Sequence, residues 1–207
     1  MKKNIYPYVL IGIAFLISII SLPYLPDEIP THWGMDGQPD DWSSKYFGAL
    51  LAPVLMLFIA GTMKMTPKID PMKRNYPKFQ KNYVGFKNVL ITFFLGIHIL
   101  TILYGLGYEF SIENFVIIGV GLLFMYLGNI MPTIKPNYFF GIKTPWTLHN
   151  ERVWTKTHRL GGKLFFTGGL VIILSVFFTN IAAIFILIAI VIILTLSTVI
   201  YSFVISR

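Results

Sequence analysis

Charged residues are scarce in this chain of 207 residues, since Asp, Glu, Lys and Arg together make up 13% of it. An ordinary soluble domain carries about 25%. Because 55% of the residues are hydrophobic and the mean hydropathy is +0.69, a water-soluble fold could not bury the apolar surface. Cysteine is absent, which excludes disulfides and thiol chemistry. The composition predicts an integral membrane protein.

The sequence also lacks the motifs of several enzyme classes. It has no HExxH, GxSxG or phosphate-loop motif, and no paired carboxylates on one predicted helix. An intramembrane enzyme or transporter normally needs ionisable residues at membrane depth. The clear example here is His98, which shares a helical face with Phe94 and Thr101, and we interpret it as a packing residue. We therefore expect no enzyme, no cofactor and no metal.

Long apolar runs use up most of the chain. Each is long enough to cross about 30 Å of hydrocarbon and must be helical, because the bilayer offers no water to backbone groups. The first run is preceded by Lys2 and Lys3 and has no small-residue cleavage site after it, so we expect it to be retained. The predicted fold is an all-α, polytopic membrane protein, a single membrane domain over 1–207. Its six transmembrane helices are predicted near 5–24, 46–63, 84–104, 115–131, 164–178 and 181–205.

Basic residues are distributed unevenly between the two sides of this arrangement. Sixteen of the 17 Lys and Arg residues fall at the ends and in the even-numbered loops, while Lys45 falls on the other side with seven of the nine acids. Lys and Arg stay cytoplasmic in short loops. We therefore expect both termini in the cytoplasm. The net charge of +8 indicates topology and attraction to anionic lipid rather than nucleic-acid binding.

The first outer loop, 25–45, is rich in proline, glycine, acids and aromatics. We predict a compact, turn-rich segment that binds a cationic or amphipathic ligand. An aromatic anchor at the headgroups is the competing interpretation, and a metal site built from its histidine and aspartates is a third. The candidate ligand-binding residues are His32, Trp33, Asp36, Asp40, Asp41 and Trp42.

A second distinctive loop, 132–163, is predicted to be cytoplasmic. From Asn150 the pattern is helical, with Val153, Trp154 and Thr157 on one face. A second face carries four cations, Arg152, Lys156, Arg159 and Lys163. We expect an amphipathic interfacial helix that leads into the fifth span and lays its apolar side on the membrane. A docking face for a cytoplasmic protein is the compatible alternative.

The motifs in these two loops resemble those of a known family. The run GIKTPWTL (141–148), followed by Val153-Trp154, by 157–159 and by 161–163, resembles the signature of the SdpI/YfhL family of bacterial membrane proteins. The stretches LPDEIPTHW (25–33) and GQPDDWSSK (37–45) look like the N-terminal domain that accompanies it. The resemblance covers essentially the whole chain.

This resemblance implies a six-span protein of the Gram-positive plasma membrane that gives immunity to a secreted toxin peptide made during sporulation and cannibalism. In some members it also implies signalling, in which the toxin-engaged protein holds a small repressor at the membrane. The candidate signalling or interfacial residues are Thr144, Pro145, Trp146, Thr147, Arg152, Trp154, Lys156, His158 and Arg159. A small-solute transporter or intramembrane enzyme that uses His98, or His149, Glu151 and His158, is the alternative.

Overall fold

The computed structural model describes residues 4–207, so Lys2 and Lys3 lie outside the described residues. This part of the chain contains seven α-helices, a two-stranded hairpin and three short 3-10 segments. The helices are α1 (Tyr6–Ser21), α2 (Lys45–Ile69), α3 (Gln80–Gly105), α4 (Ile112–Ile130), α5 (Pro145–His149), α6 (Glu151–Leu174) and α7 (Asn180–Val204). The strands are β1 (Glu28–Trp33) and β2 (Pro39–Ser44), and the 3-10 segments are Lys73–Lys78, Met131–Thr133 and Ser175–Phe177.

The long helices account for the apolar runs of the sequence. Five of them, α2, α3, α4, α6 and α7, are long and apolar enough to cross a membrane, and the shorter apolar helix α1 precedes them. Each of these six helices overlaps one predicted span. The predicted fold class, an all-α polytopic membrane protein, is confirmed. The exact span bounds and the single domain over 1–207 stay predictions.

Two segments differ from what the sequence suggested. Residues 25–45 form a β-hairpin rather than turns alone. The segment after Asn150 is not a separate interfacial helix, because α6 runs without a break from Glu151 to Leu174. Its start is fixed by the Asn150 side chain, which accepts hydrogen bonds from the backbone N–H groups of Arg152 and Val153.

The described chain divides into two compact units, and each is described by itself. The first comprises the residues up to Met63 together with Lys87–Val116. The second comprises Lys64–Phe86 together with Ile117–Arg207. The first unit contains α1 and the hairpin, whereas the second contains α5, α6 and α7.

The core of the first unit is formed by α1, α2 and α3, which bury Ile11, Ala14, Met56, Ala60 and Ile91. A small polar network lies beside it. The hydroxyl oxygen of Ser18 lies 2.6 Å from the carbonyl oxygen of Ala49, and His98 Nε2 lies 3.1 Å from that of Ala14. His98 is fully buried. These bonds tie the three helices together, as polar side chains do between transmembrane helices.

In the second unit, α4 and α6 pack backbone against backbone along four glycines, which we call the glycine seam: Gly121, Gly128, Gly162 and Gly169. A Cβ atom added to Gly128 would lie 2.5 Å from the Phe166 nitrogen and 2.6 Å from the Gly162 oxygen. A Cβ atom added to Gly169 would lie 2.5 Å from the Gly121 oxygen. Gly121 thus faces Gly169 while Gly128 faces Gly162, so the helices are antiparallel. Small residues permit this close approach between membrane helices.

The glycine seam predicts that added methyl groups force α4 and α6 apart. Gly128→Ala and Gly169→Ala should each lower the free energy of unfolding by about 1 to 3 kcal/mol, because the obstructing atoms include backbone. The measurement is thermal unfolding of the purified protein in detergent micelles.

The matched controls are Gly12→Ala in α1 and Gly61→Ala in α2, where an added Cβ meets nothing within 4 Å. These should leave stability unchanged or raise it by up to about 1 kcal/mol, because alanine is the better helix former. Equal effects at all four positions would contradict close packing at the seam.

Candidate functional site

The hairpin is anchored on the helices of the first unit through Ile29. This side chain is fully buried. Cβ atoms added to Gly48 of α2 and Gly105 of α3 would lie 2.5 and 2.9 Å from it, so the two glycines make room for it. At the base of the hairpin, Lys45 Nζ lies 3.2 Å from Asp27 Oδ1. The base of the hairpin is therefore packed against α2 and α3, and this packing fixes the position of the hairpin tip.

The two strands pair in antiparallel register, with Ile29 opposite Ser43 and His32 opposite Asp41. The pairing is irregular on both sides of His32. Pro30 lacks an N–H and is tolerated because it lies on an edge strand. At the tip, Gly37 has a φ of 78°, a conformation that glycine adopts without strain.

The six predicted ligand-binding residues all lie on this hairpin but do not form one cluster. His32 Nδ1 and Asp40 Oδ1 are 2.6 Å apart, and both side chains are more than half exposed. The Trp33 ring packs edge-to-face on Tyr104, with centroids 6.1 Å apart. Trp33 is thus a packing residue at least in part.

The other three predicted residues are exposed. Asp36 Oδ1 accepts from the Gln38 N–H and so shapes the turn, while Asp41 Oδ1 accepts from the Trp42 N–H. Trp42 is 49% exposed. The hairpin therefore presents a surface that combines carboxylates with an exposed aromatic residue.

An acidic cleft, which the sequence reasoning missed, lies beside the hairpin tip. Its volume is about 300 Å³, and its lining includes Gln38, Tyr104, Glu109 and Glu113. Glu109 and Glu113 are two of the seven acids that the sequence predicts on the side opposite to most of the cations. The signal that could have found them is their position on the same predicted side as the acidic hairpin.

The loop before α5 is organised by Asn137, which is fully buried. Its Oδ1 accepts from the backbone N–H groups of Phe139 and Phe140, at 3.0 and 2.6 Å. Its Nδ2 donates to the carbonyl oxygens of Lys135 and Phe140. A single amide thus supplies the hydrogen bonds that this irregular segment cannot make for itself.

His158 joins this loop to α6. Ile142 N–H donates to His158 Nε2 at 3.0 Å, so Nδ1 carries the proton and donates to the Trp154 carbonyl at 2.9 Å. The Trp154 and His158 rings stack 4.1 Å apart, and Trp154 Nε1 donates to the carbonyl of Ile134. Gly141, with φ of 112°, passes so close that an added Cβ would lie 2.5 Å from His158 Nε2.

The expectation that the apolar face of this helix lies on the membrane is therefore wrong for Trp154, which is buried, as are Val153 and Thr157 on the same face. The carbonyl of Ile134 gives Trp154 a partner that hydrocarbon lacks. His158, predicted as a signalling or interfacial residue, is buried too and is bonded to the protein's own backbone.

Helix α5 is held by the threonines of the signature. Thr144 caps its start in a reciprocal capping box with Thr147, and Pro145 occupies the first helical turn. Both threonines are buried, and the Thr144 hydroxyl lies 3.1 Å from that of Ser202 on α7. Trp146 packs on Phe203, with centroids 5.0 Å apart. The predicted residues Thr144 to Thr147 thus serve packing between α5 and α7.

The cations of the second predicted set remain on the surface. Arg152, Lys156 and Arg159 are exposed along α6, as is Lys163. The signature therefore separates into a buried part, which includes Trp154 and His158, and an exposed basic part. Only the exposed part is available to a partner or a headgroup.

A buried carboxylate, also missed by the sequence reasoning, ties the segment after α2 to this loop. Asp70 is 1% exposed. Its Oδ1 accepts from Met72 N–H at 2.6 Å, and its Oδ2 accepts from Tyr76 hydroxyl and Tyr138 N–H at 3.0 and 2.9 Å. Burial, and next the hydrogen bond to Asp70, raise the pKa of Tyr76. Tyr76 thus stays a donor at neutral pH. The sequence signal that could have revealed Asp70 is its position as a single acid among the cations of this loop.

The alternative acid–base set is not assembled for chemistry. Both ring nitrogens of His158 are occupied by backbone groups, whereas His149 and Glu151 are exposed. Within residues 4–207 no group of three His, Cys, Asp or Glu residues could hold a metal ion. His32 and Asp40 are paired with each other on the hairpin.

Comparison with protein families gives two matches that fall on these two regions. The SdpI/YfhL protein family matches residues 133–202, which include the loop before α5 and the helices α5 and α6. A domain of unknown function (DUF1648) matches residues 9–57, which include the hairpin.

Two curated relatives come from Bacillus subtilis (strain 168). "Immunity protein SdpI" is 34% identical over 199 residues, which cover 96% of this chain and 93% of the relative. "Uncharacterized membrane protein YbgB" is 36% identical over 52 residues, which cover 25% of this chain and 57% of that protein. No solved structure matches.

Proposed function

This chain belongs to the SdpI/YfhL family, and we propose that it is an immunity protein that protects a Gram-positive bacterium from a secreted, membrane-active toxin peptide of the sporulation-delay type. The observation that carries the proposal is the 34% identity to "Immunity protein SdpI" over 96% of the chain. A toxin that acts on the bilayer must enter or rest on it, so an antagonist embedded there can meet it. This chain meets that requirement, since five of its described helices are long and apolar enough to cross a membrane.

The hairpin and the acidic cleft beside it are the proposed toxin-binding surface. Trp42 offers an exposed aromatic face, and the carboxylates of Asp41, Glu109 and Glu113 attract cations. Exposed aromatics surrounded by charge are typical of sites that bind amphipathic peptides. The surface has to face outward for this role. The distribution of basic residues supports that orientation, with both termini on the cytoplasmic side of the bacterial plasma membrane.

A second proposed activity is signalling through the exposed basic side of α6, by holding a cytoplasmic repressor at the membrane. Arg152 and Lys156 are exposed and close to the start of the helix. Because Trp154 and His158 are buried, they would fix the rotation of α6 about its axis and therefore the side on which these cations lie. This activity requires a cytoplasmic α6 and therefore depends on the same orientation.

The transporter and enzyme alternatives have less support. His98 is fully buried and bonded to α1, while His158 is occupied by backbone groups.

The immunity proposal predicts that the hairpin is needed for protection. The host is a sensitive strain that lacks its own immunity gene, exposed to purified sporulation-delay toxin peptide. The wild-type chain should restore survival. The variant Asp41→Ala/Trp42→Ala should lose about tenfold or more in protection at equal membrane abundance, as loss of a central binding residue does.

The control Tyr138→Ala/Glu151→Ala removes an exposed aromatic side chain and an exposed acid from the second unit and should protect as the wild type does. No protection by the wild-type chain would overturn the immunity proposal. Full protection by the hairpin variant would overturn only the proposed binding surface.

The proposed orientation predicts which side of the membrane reacts with an impermeant thiol reagent. The chain has no native cysteine, and Met35 at the hairpin tip and His149 at the end of α5 are both exposed. In intact cells Met35→Cys should be labelled and His149→Cys should be labelled only after permeabilisation. The reverse pattern would contradict the orientation.

The signalling proposal predicts that Arg152→Glu/Lys156→Glu abolishes membrane recruitment of a tagged repressor while survival in toxin is kept, because the hairpin is unchanged. Fluorescence localisation and survival are measured at matched protein levels. Loss of both together would argue that these cations serve stability and not signalling.

A further inference from the structure

A surface groove of about 590 Å³ lies between α4 and α6 in the second unit. Its lining includes Gly128, Pro132, Arg159, Gly162, Lys163 and Phe166. The proposed toxin-binding surface is in the first unit, so this groove is a separate feature.

The floor of the groove is part of the glycine seam. Gly128 and Gly162 are buried and have no side chains, and their backbones approach closely. A concave path therefore follows the line where the two helices meet. Larger residues at these positions would fill it, so the same contact that packs the helices also creates the groove.

Two cations stand at one end of the groove. Arg159 and Lys163 are four residues apart on α6, which places their side chains next to each other on one helix face. Both are exposed, and none of the residues that line the groove is acidic. A pair of cations without a carboxylate in the groove favours an anionic group, and Arg and Lys are the residues that proteins use for phosphate.

The other end of the groove is apolar and continues along α6. Phe166, Leu170 and Leu174 follow Lys163 at helical spacing, and each is between 43% and 48% exposed. From Lys163 to Leu174 this track rises about 16 Å, at 1.5 Å per residue. The track belongs to a helix apolar enough to cross a membrane. The cations thus lie where its apolar part begins, which is where we expect the lipid headgroups.

We propose that this groove binds an anionic phospholipid, with its phosphate between Arg159 and Lys163 and one acyl chain along the Phe166–Leu174 track. The charge pair selects the phosphate, and the apolar track distinguishes a lipid from a free anion. Basic pockets between transmembrane helices bind phospholipid headgroups in this manner. The site differs from general attraction to the basic stripe, because Arg152 and Lys156 do not line the groove.

The test measures phospholipids retained by the purified full-length protein, by native mass spectrometry from mild detergent. Phosphatidylglycerol and phosphatidylcholine are supplied in equal amounts. The wild type should retain phosphatidylglycerol preferentially. Arg159→Gln/Lys163→Gln should reduce this preference about 30-fold, since two cations near the lipid are lost.

Three further measurements separate a groove from diffuse attraction. Arg152→Gln/Lys156→Gln removes the same charge from the same helix outside the groove and should keep the preference. Thr167→Trp fills the groove without a change of charge and should lose it. Inorganic phosphate in excess should not displace the lipid.

Equal retention of the two lipids by the wild type would overturn the proposal. So would equal losses in the two charge variants, unchanged binding by Thr167→Trp, or displacement by inorganic phosphate. None of these outcomes depends on the toxin, so the result is independent of the immunity proposal.

Discussion

The close approach of α4 and α6 along the glycine seam is the contact on which the second unit depends. At Gly128 and Gly162 the two backbones meet with no side chain between them, which small residues alone permit. This contact fixes the position of α6, and α6 in turn carries Trp154 and His158 to the loop that they hold. It also leaves the groove beside Arg159 open. One packing contact thus underlies both the family signature and the proposed lipid site.

The family signature is mostly structural in this protein. His158 and Trp154 bind backbone groups of the preceding loop, and Asn137 and Asp70 accept hydrogen bonds from three further N–H groups of it. Polar groups removed from water need such partners, because an unpaired one costs about 1 to 3 kcal/mol. The surfaces proposed to meet a partner are therefore exposed ones, namely the acidic hairpin of the first unit and the cations of α6.

Apolar runs were sufficient to predict the six apolar helices and the fold class, because a bilayer forces each run to be helical. Tertiary contacts decided what the sequence did not predict. The hairpin depends on the packing of Ile29 in the space that Gly48 leaves. No periodicity of apolar residues in the sequence predicts that contact. Trp154 was expected on the membrane because its helical face is apolar. It is instead buried, and it donates to the carbonyl of Ile134 in the loop before α5, 20 residues earlier in the sequence. Asp70 was overlooked since one of its partners, the N–H group of Tyr138, lies 68 residues away in the sequence.

In the proposed function, the toxin peptide meets the protein at the hairpin while the signature loop serves structure. In-cell photo-crosslinking tests this most directly, with benzoylphenylalanine placed at Trp42 or at Tyr138, which are 49% and 44% exposed. Cells that express each variant are treated with the toxin peptide and irradiated. A crosslink at position 42 with none at position 138 is the predicted result. A crosslink at position 138, with none at position 42, would contradict the account.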